Sequence, residues 1–310
     1  MGWKGEIGFF LHIPFPSPDV FEILLWARDL LNELFEHDLL GFHTHRYRQN
    51  FFDAMDHEVG GSWNDPHYAV GNRTVKVHKF PIGIEPGTSL DAAMASTTSV
   101  STALSLPNDD HHKIVVGVDR LDYAKGIPER LKAFERMLDR HANMRGRVTL
   151  VQVTQPSRCP VREYIEEREE VERLVGQVNG RCSDAGWVLI GYLYRFFAQT
   201  QLARFYHDSH LGMITPLRDG VNLTAKEYVA AQGDDPGGLV LSKFSVTAVE
   251  LIEATQVNPY DTDGTTERLY QALPIPHTER VRRWRSQMNA VTENTGRTWG
   301  ESLSQELQLS

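Results

Sequence analysis

Cysteine is nearly absent from this chain: its 310 residues include only Cys159 and Cys182. A disulfide scaffold and a four-cysteine zinc site are thereby excluded, and the two thiols read as reduced cysteines of a cytoplasmic protein. No apolar run reaches the roughly 18 residues that cross a bilayer. The apolar stretch IGFFLHIPFP near the N-terminus is broken by His12, Pro14 and Pro16, and no small-residue cleavage site follows it, so no signal peptide is expected. Glu6 stands where a myristoylation signal needs Ser or Thr. Positive charge is also in deficit, with 32 Lys and Arg against 41 Asp and Glu and a formal net charge of -9. That argues against nucleic acid or an acidic membrane as partner and leaves only a local basic patch suited to a small anion. The GxSxG elbow, the Walker A loop and the GxGxxG fingerprint are missing as well, which removes support for serine-hydrolase, P-loop and standard dinucleotide readings.

What is present is ordinary globular material, 41% hydrophobic and 24% charged, of a length that suggests two domains at about 150 residues each. The opening reads as a strand IGFFLHIPF and a helix over 17–36, with Pro18 near its start and Phe21, Leu24, Leu25 and Leu31 apolar. A strand DLLGFHT, a helix over 46–55, a Gly- and Asn-rich loop over 58–73 and a strand VKVHKFP follow. The punctuation PIGIEPG and the Ser/Thr/Asn/Asp-containing stretch 87–112 place a boundary there, dividing the chain into 1–112 and 113–310.

Beyond the boundary, continuous apolar runs alternate with helical patterns. IVVGVD, RVTLVQVT, WVLIGYL, LGMITPL, GLVLS and TQVNPY read as strands. IPERLKAFERML, VREYIEEREEVERLVGQV, QTQLARFYHDS, LTAKEYVAAQ and VTAVELIEA read as the helices between them, and a helix over 280–307 runs nearly to the chain end. Buried strands alternating with helices mean a parallel sheet covered on both faces, an α/β fold.

Ligands of such sheets gather outside the carboxyl ends of the strands. The turn DRLDYAKG puts Arg120 and Lys125 beside a helix N-terminus, and two cations with free backbone N–H groups suit a phosphate. The bland alternative is a pair of solvated charges. Arg158 follows the next strand in a Pro/Ser loop and is weak evidence alone. In PLRDGVNLTAKE, Asp219 and Gly220 form a tight turn, Asn222 sits at an N-cap position, and Glu227 lies one turn into the helix, where a carboxylate can accept from sugar hydroxyls. A capped helix with two solvated acids is the alternative. Thirteen histidines, including His43 with His45 and His207 with His210, form no recognisable ligand set, so no metal is expected.

Taken in order, GFFLHIPFP, DLLGFHT, FPIGIEP, VDRLDYAKGIPERL, TPLRDGVNLTAKEYVAAQ, LVLS and VNPYD resemble glycosyltransferase family 20, the trehalose-6-phosphate synthases of the bacterial type. The resemblance implies a GT-B enzyme of two Rossmann-like domains with parallel sheets. It implies retaining glucosyl transfer from UDP-glucose to glucose 6-phosphate, without metal or cofactor, UDP-glucose being a co-substrate; homo-oligomerisation is left open. It assigns Arg120 and Lys125 to the donor diphosphate, Asp219 and His12 to the transferred glucose, and the backbone of Gly220, Val221, Asn222 and Leu223 to sugar and phosphate. Glu227 falls to the ribose, Val153 to the uracil and Arg158 to the acceptor phosphate. Two segments depart from the family pattern: Gly220-Val221-Asn222-Leu223 replaces GMNL, and the run 244–251 replaces FAGAAxEL. The family's Gly-rich loop and its HDYHL-type segment precede GFFLHIPFP and are not found in this chain, so the first domain is expected to be incomplete. A non-catalytic nucleotide-sugar-binding fragment, or a synthase using another acceptor such as glycerol 3-phosphate, is the competing expectation.

Overall fold

A computed structural model describes residues 5–104, 106, 112–158, 160–184 and 186–308. Cys159 and the stretch 107–111 lie outside the described residues, while Cys182 is a buried free thiol. The chain divides into two compact units, Met1–Ile84 with Asn294–Ser310, and Glu85–Glu293.

The first unit begins with β1 (Gly8–Leu11), α1 (Pro18–Phe21), α2 (Ala27–Phe35), β2 (Leu39–Phe42) and α3 (His45–Glu58). A hairpin of β3 (Ser62–Asn64) and β4 (His67–Val70) follows, then β5 (Arg73–Lys79). Its sheet runs β1-β2-β5-β4-β3, with parallel pairing from β1 to β5 and antiparallel pairing through the hairpin. This corrects two expectations: the sheet is mixed rather than parallel, and 58–73 is a hairpin rather than a loop. β3 is three exposed residues long, too short to show alternation. β4 is held by Tyr68, which is fully buried and donates its hydroxyl to Asp56 at 2.5 Å.

The helix expected over 17–36 is likewise two helices. Phe21 and Ala27 are both buried, yet six residues at about 100° each would put them some 120° apart on one continuous helix. The chain meets both demands by turning between them, and leaves Ile23, Leu25 and Trp26 exposed.

The second unit starts with α4 (Pro86–Ala95) and α5 (Val100–Leu104). It continues through β6 (Lys113–Arg120), α6 (Ile127–Arg140), β7 (Val148–Gln155), α7 (Arg162–Cys182), β8 (Ile190–Tyr194) and α8 (Gln199–His207). β9 (Leu211–Ile214), α9 (Leu223–Ala231), β10 (Gly238–Ser242), β11 (Thr255–Val257), α10 (Thr262–Ala272) and α11 (His277–Glu293) complete it. The six strands pair in parallel in the order β11-β10-β9-β6-β7-β8. Val115, Leu150, Leu211, Met213 and Val240 form the sheet side of its core, against Leu131, Phe134 and Val171 of the helices.

VTAVELIEA does not form the expected helix. Only a short 3-10 turn spans Val246–Val249, consistent with β-branched residues that pay for helical geometry. Its start is held elsewhere, because Val246 N–H donates to the Asp219 carbonyl at 2.9 Å. The closing helix expected over 280–307 is also broken, since α11 ends at Glu293 and α12 (Gly296–Gln308) returns to the first unit. At the break a Cβ on Gly83 would fall 1.5 Å from the Asn294 carbonyl oxygen, and Thr295 Oγ1 accepts from Thr298 N–H at 3.0 Å to start α12. Lys76 of β5 pairs with Glu306 at 3.0 Å, fastening α12 to the first sheet.

β6 and β9 are also joined through His210, whose Nδ1 accepts from the Ile114 N–H at 3.0 Å. Burial, with help from nearby Lys113 and Arg280, pushes its imidazole down from 6.5 to about 4. The unfolded chain protonates His210 below its ordinary value while the folded chain does not, so this group removes stability as pH falls through that window and none above it. Urea unfolding at about pH 7.5 and about pH 5 should therefore show a smaller loss of midpoint for His210→Asn, whose Oδ1 can replace Nδ1 as acceptor, than for wild type. Equal losses in the two proteins would clear His210 of the effect.

Candidate active site

In the second sheet the strand order reverses between β6 and β9, which are neighbours although three helices and two strands separate them in sequence. A crevice opens at such a switch point, outside the carboxyl ends of the two strands. The loops after β6 and β9 are the ones carrying Arg120, Lys125, Asp219 and Asn222.

The β6 loop is shaped by short-range bonds. Asp122 caps a 3-10 turn, Tyr123–Lys125, its Oδ1 accepting from Ala124 N–H at 2.9 Å. Gly126 then adopts φ +63°, and a Cβ there would lie 2.8 Å from the Thr215 carbonyl of the neighbouring loop. Only glycine fits both demands. Pro128 opens α6 in its first turn, where its missing N–H costs nothing.

Lys125 Nζ lies 2.5 Å from Asp219 Oδ2 in a largely buried ion pair. Asp219 Oδ1 also accepts from the Val221 and Asn222 N–H groups at 3.2 and 3.3 Å, and Oδ2 from Asn222 Nδ2 at 3.0 Å. Burial works against ionisation of Asp219, but the Lys125 charge and these bonds outweigh it and hold the carboxyl below its ordinary value. Asn222 Oδ1 accepts from Ala225 N–H at 3.1 Å, the N-cap expected for α9. The N–H groups of Leu223 and Thr224, at the first two helical positions, have no acceptor within the helix. Two of the four backbone groups at 220–223, Val221 and Asn222, thus turn inward to Asp219.

Arg120, at the exposed end of β6, has no hydrogen bond or ion pair to its guanidinium among the described residues. Glu227 is half-buried on α9, and desolvation alone raises its carboxyl above the ordinary value. Val153 is sealed inside β7 with no exposure. Arg158 lies one strand over, after β7, with its backbone at φ +43°. His12 belongs to the first unit and is exposed after β1. Its ring lies among those of Phe10, His43 and Trp299, at centroid separations of 4.7, 5.6 and 6.1 Å.

Beneath these loops lies a group that sequence reasoning missed. Arg130 of α6 is fully buried; its Nη1 donates to Asp119 at 2.5 Å and to Gln152 Oε1 at 2.8 Å, and its Nε donates to Thr215 Oγ1 at 3.0 Å. One guanidinium therefore ties the end of β6, the middle of β7 and the turn after β9 together. Its signal was in the sequence: Arg130 sits three residues after Ile127 and four before Phe134, on the apolar stripe of α6. Lys226 was missed too; its ammonium is wholly buried and pairs with Glu250 at 2.9 Å.

A unit with a six-stranded parallel sheet and cationic and N-terminal helix groups at its switch point, in one chain with a mixed α/β unit, matches a GT-B glycosyltransferase fold. The profile of glycosyltransferase family 20 matches residues 3–309, and the chain belongs to that family. It is 39% identical over 310 residues to a trehalose-6-phosphate synthase of Enterobacter sp. (strain 638), covering 99% of this chain and 65% of that one. Among solved structures, a UDP-forming alpha,alpha-trehalose-phosphate synthase from Burkholderia xenovorans in complex with glucose-6-phosphate superposes with a TM-score of 0.94. The two are 37% identical, over 98% of this chain and 68% of that one. The E. coli enzyme bound with UDP-2-fluoro glucose gives 0.93 at 36% identity, over 97% and 67%. The chain thus spans about two thirds of the length of the relatives it matches.

Removing one member of the buried pair should expose its cost. Asp119→Ala leaves the Arg130 charge uncompensated and is expected to lower unfolding free energy by about 3–5 kcal/mol. Replacing both, Asp119→Leu with Arg130→Met, should cost less than the sum of the single changes. Chemical denaturation of Asp119→Ala, of Asp119→Leu and Arg130→Met singly and of the two together checks this, and strictly additive losses would count against a coupled pair.

Proposed function

We propose that this chain carries the nucleotide-sugar site of a retaining glucosyltransferase, which moves glucose from UDP-glucose to glucose 6-phosphate and gives trehalose 6-phosphate. The observation that carries the reading is the convergence of Arg120, Lys125, Asp219 and the N-terminus of α9 at one switch point. Family membership supports this substrate pair, as do a related structure in complex with glucose-6-phosphate and another bound with UDP-2-fluoro glucose.

Bond breaking between the anomeric carbon and the diphosphate oxygen leaves negative charge on the diphosphate. Arg120, Lys125 and the first N–H groups of α9 are already charged or oriented, so they stabilise that charge without reorganising. On this reading no metal is needed. Asp219, kept ionised by Lys125, accepts from glucose hydroxyls, and Glu227 accepts from the ribose. The acceptor hydroxyl attacks from the face the diphosphate leaves, and its proton passes to the departing phosphate oxygen. Arg158 anchors the acceptor phosphate. No helix among the described residues is long and apolar enough to cross a membrane, and the reading puts the reaction in the cytoplasm, where a thiol such as Cys182 stays reduced.

Calorimetry with UDP-glucose, followed by assay of UDP release with and without glucose 6-phosphate, tests the two halves separately. Binding with glucose 6-phosphate-dependent release is the expected result. Binding without release would make the chain a nucleotide-sugar-binding module, and absence of both from folded protein would remove the proposal. Arg120→Ala should weaken UDP-glucose at least about tenfold, the size of a lost bond to a charged group, while Arg158→Ala leaves it within about twofold. Equal effects of the two substitutions would mean that the donor and acceptor assignments are wrong.

A further inference from the structure

The loop after β7 is strained where it should be adaptable. Arg158 holds φ +43°, a region that non-glycine residues occupy at a cost and keep only when their surroundings require it. Arg158 is exposed, yet its guanidinium has a partner on the chain. Nη1 donates to the hydroxyl of Tyr164 at 3.3 Å, and the group stands 5.7 Å from the centre of the Tyr164 ring.

Tyr164 is 4% exposed, and burial together with the neighbouring Asp122 carboxylate keeps its hydroxyl protonated. That single proton is donated to Asp122 Oδ2 at 3.3 Å, which leaves an oxygen lone pair for Arg158. Asp122 in turn uses its other oxygen to cap the turn that ends in Lys125. Tyr123 of the same turn packs edge-on against the Tyr164 ring, at 5.7 Å. One hydroxyl thus joins the arginine after β7 to the turn after β6, and Lys125 continues the chain of contacts to Asp219.

We propose that Tyr164 is a positioning residue that couples the acceptor-phosphate arginine to the donor-phosphate turn, so that occupation of one site strengthens binding at the other. The inference rests on the donor and acceptor assignments of the preceding section. Tyr164 touches neither substrate. It acts by fixing Arg158 in a strained geometry and by bracing Asp122, both of which an approaching phosphate would otherwise have to organise at its own expense.

Calorimetry on the full chain with UDP and glucose 6-phosphate, each alone and in the presence of the other, separates the possibilities for wild type, Tyr164→Phe and Asp122→Asn. Tyr164→Phe keeps the ring and loses both bonds. It is expected to weaken glucose 6-phosphate about tenfold, leave UDP alone within about twofold, and abolish the mutual strengthening. Asp122→Asn can keep the cap through Oδ1 and leaves the Arg158–Tyr164 bond in place. It should therefore bind glucose 6-phosphate alone nearly as wild type does, yet lose the coupling.

Coupling that survives in Tyr164→Phe would overturn the proposal, as would equal weakening of both ligands accompanied by a lowered unfolding midpoint, the signature of a merely structural tyrosine. Wild type that fails to bind UDP would end the donor assignment, and this inference with it. Wild type that binds UDP but not glucose 6-phosphate would end the acceptor role of Arg158, and this inference, while leaving the donor site standing.

Discussion

The second unit depends on a single buried guanidinium. Arg130 reaches the interior from α6 and binds Asp119 near the end of β6, Gln152 within β7 and Thr215 just past β9. A charge in that position is tolerable only because Asp119 neutralises it and the remaining N–H groups find acceptors. The arrangement needs space, and Gly117 of β6 provides it, since a Cβ there would lie 2.6 Å from Gln152 Oε1 and 2.7 Å from Arg130 Nη1. The loops after β6, β7 and β9 leave the sheet within a few residues of this network.

Above the network the electrostatics are divided between the two cations. Lys125 is committed to Asp219 and shares its charge with a carboxylate that also gathers two backbone N–H groups. Arg120, at the strand end, has no bonded partner for its guanidinium among the described residues. Under the proposed function, a diphosphate would meet the Arg120 guanidinium directly and an ammonium for which it competes with Asp219, while Asp219 stays ionised for sugar hydroxyls. The shifted carboxyls fit the same division: Asp219 is pulled down by its partners, and Glu227 is pushed up by burial.

Much of this was legible in the sequence where one physical signal dominated. Strands buried on both faces announce themselves as continuous apolar runs, and β6, β7, β9 and β10 are all where such runs lie. Lys125, Asp219 and Asn222 could be expected together because loops after parallel strands converge at one edge. The failures share a cause, which is that tertiary contacts overrode local pattern. The β3–β4 hairpin is too short and exposed to alternate. The break between α1 and α2 follows from two buried residues that a single helix cannot point the same way. The 3-10 turn at Val246–Val249 answers to the bond that its Val246 N–H donates to the Asp219 carbonyl, a residue that no window of sequence around it contains. Arg130 and Lys226 were missed because a cation is read as solvated until its buried partner is known, and those partners, Asp119 and Glu250, lie on other elements.

The Arg130 network also bears on how the chain acquires its shape. Its members come from β6, α6, β7 and the turn after β9, spanning residues 119 to 215, so its final bonds close only after contacts of long sequence separation have formed. Contacts of that kind make folding slow. An arginine stripped of water before Asp119 and Thr215 arrive would be a costly intermediate, so desolvation of the guanidinium belongs late in sheet assembly. The turn before Gly126, whose Lys125 carbonyl also accepts from Arg130 at 3.4 Å, would then take its shape at the same moment. Under the proposed function, the turn that would hold a phosphate takes its final shape only once β6, β7 and β9 have come together.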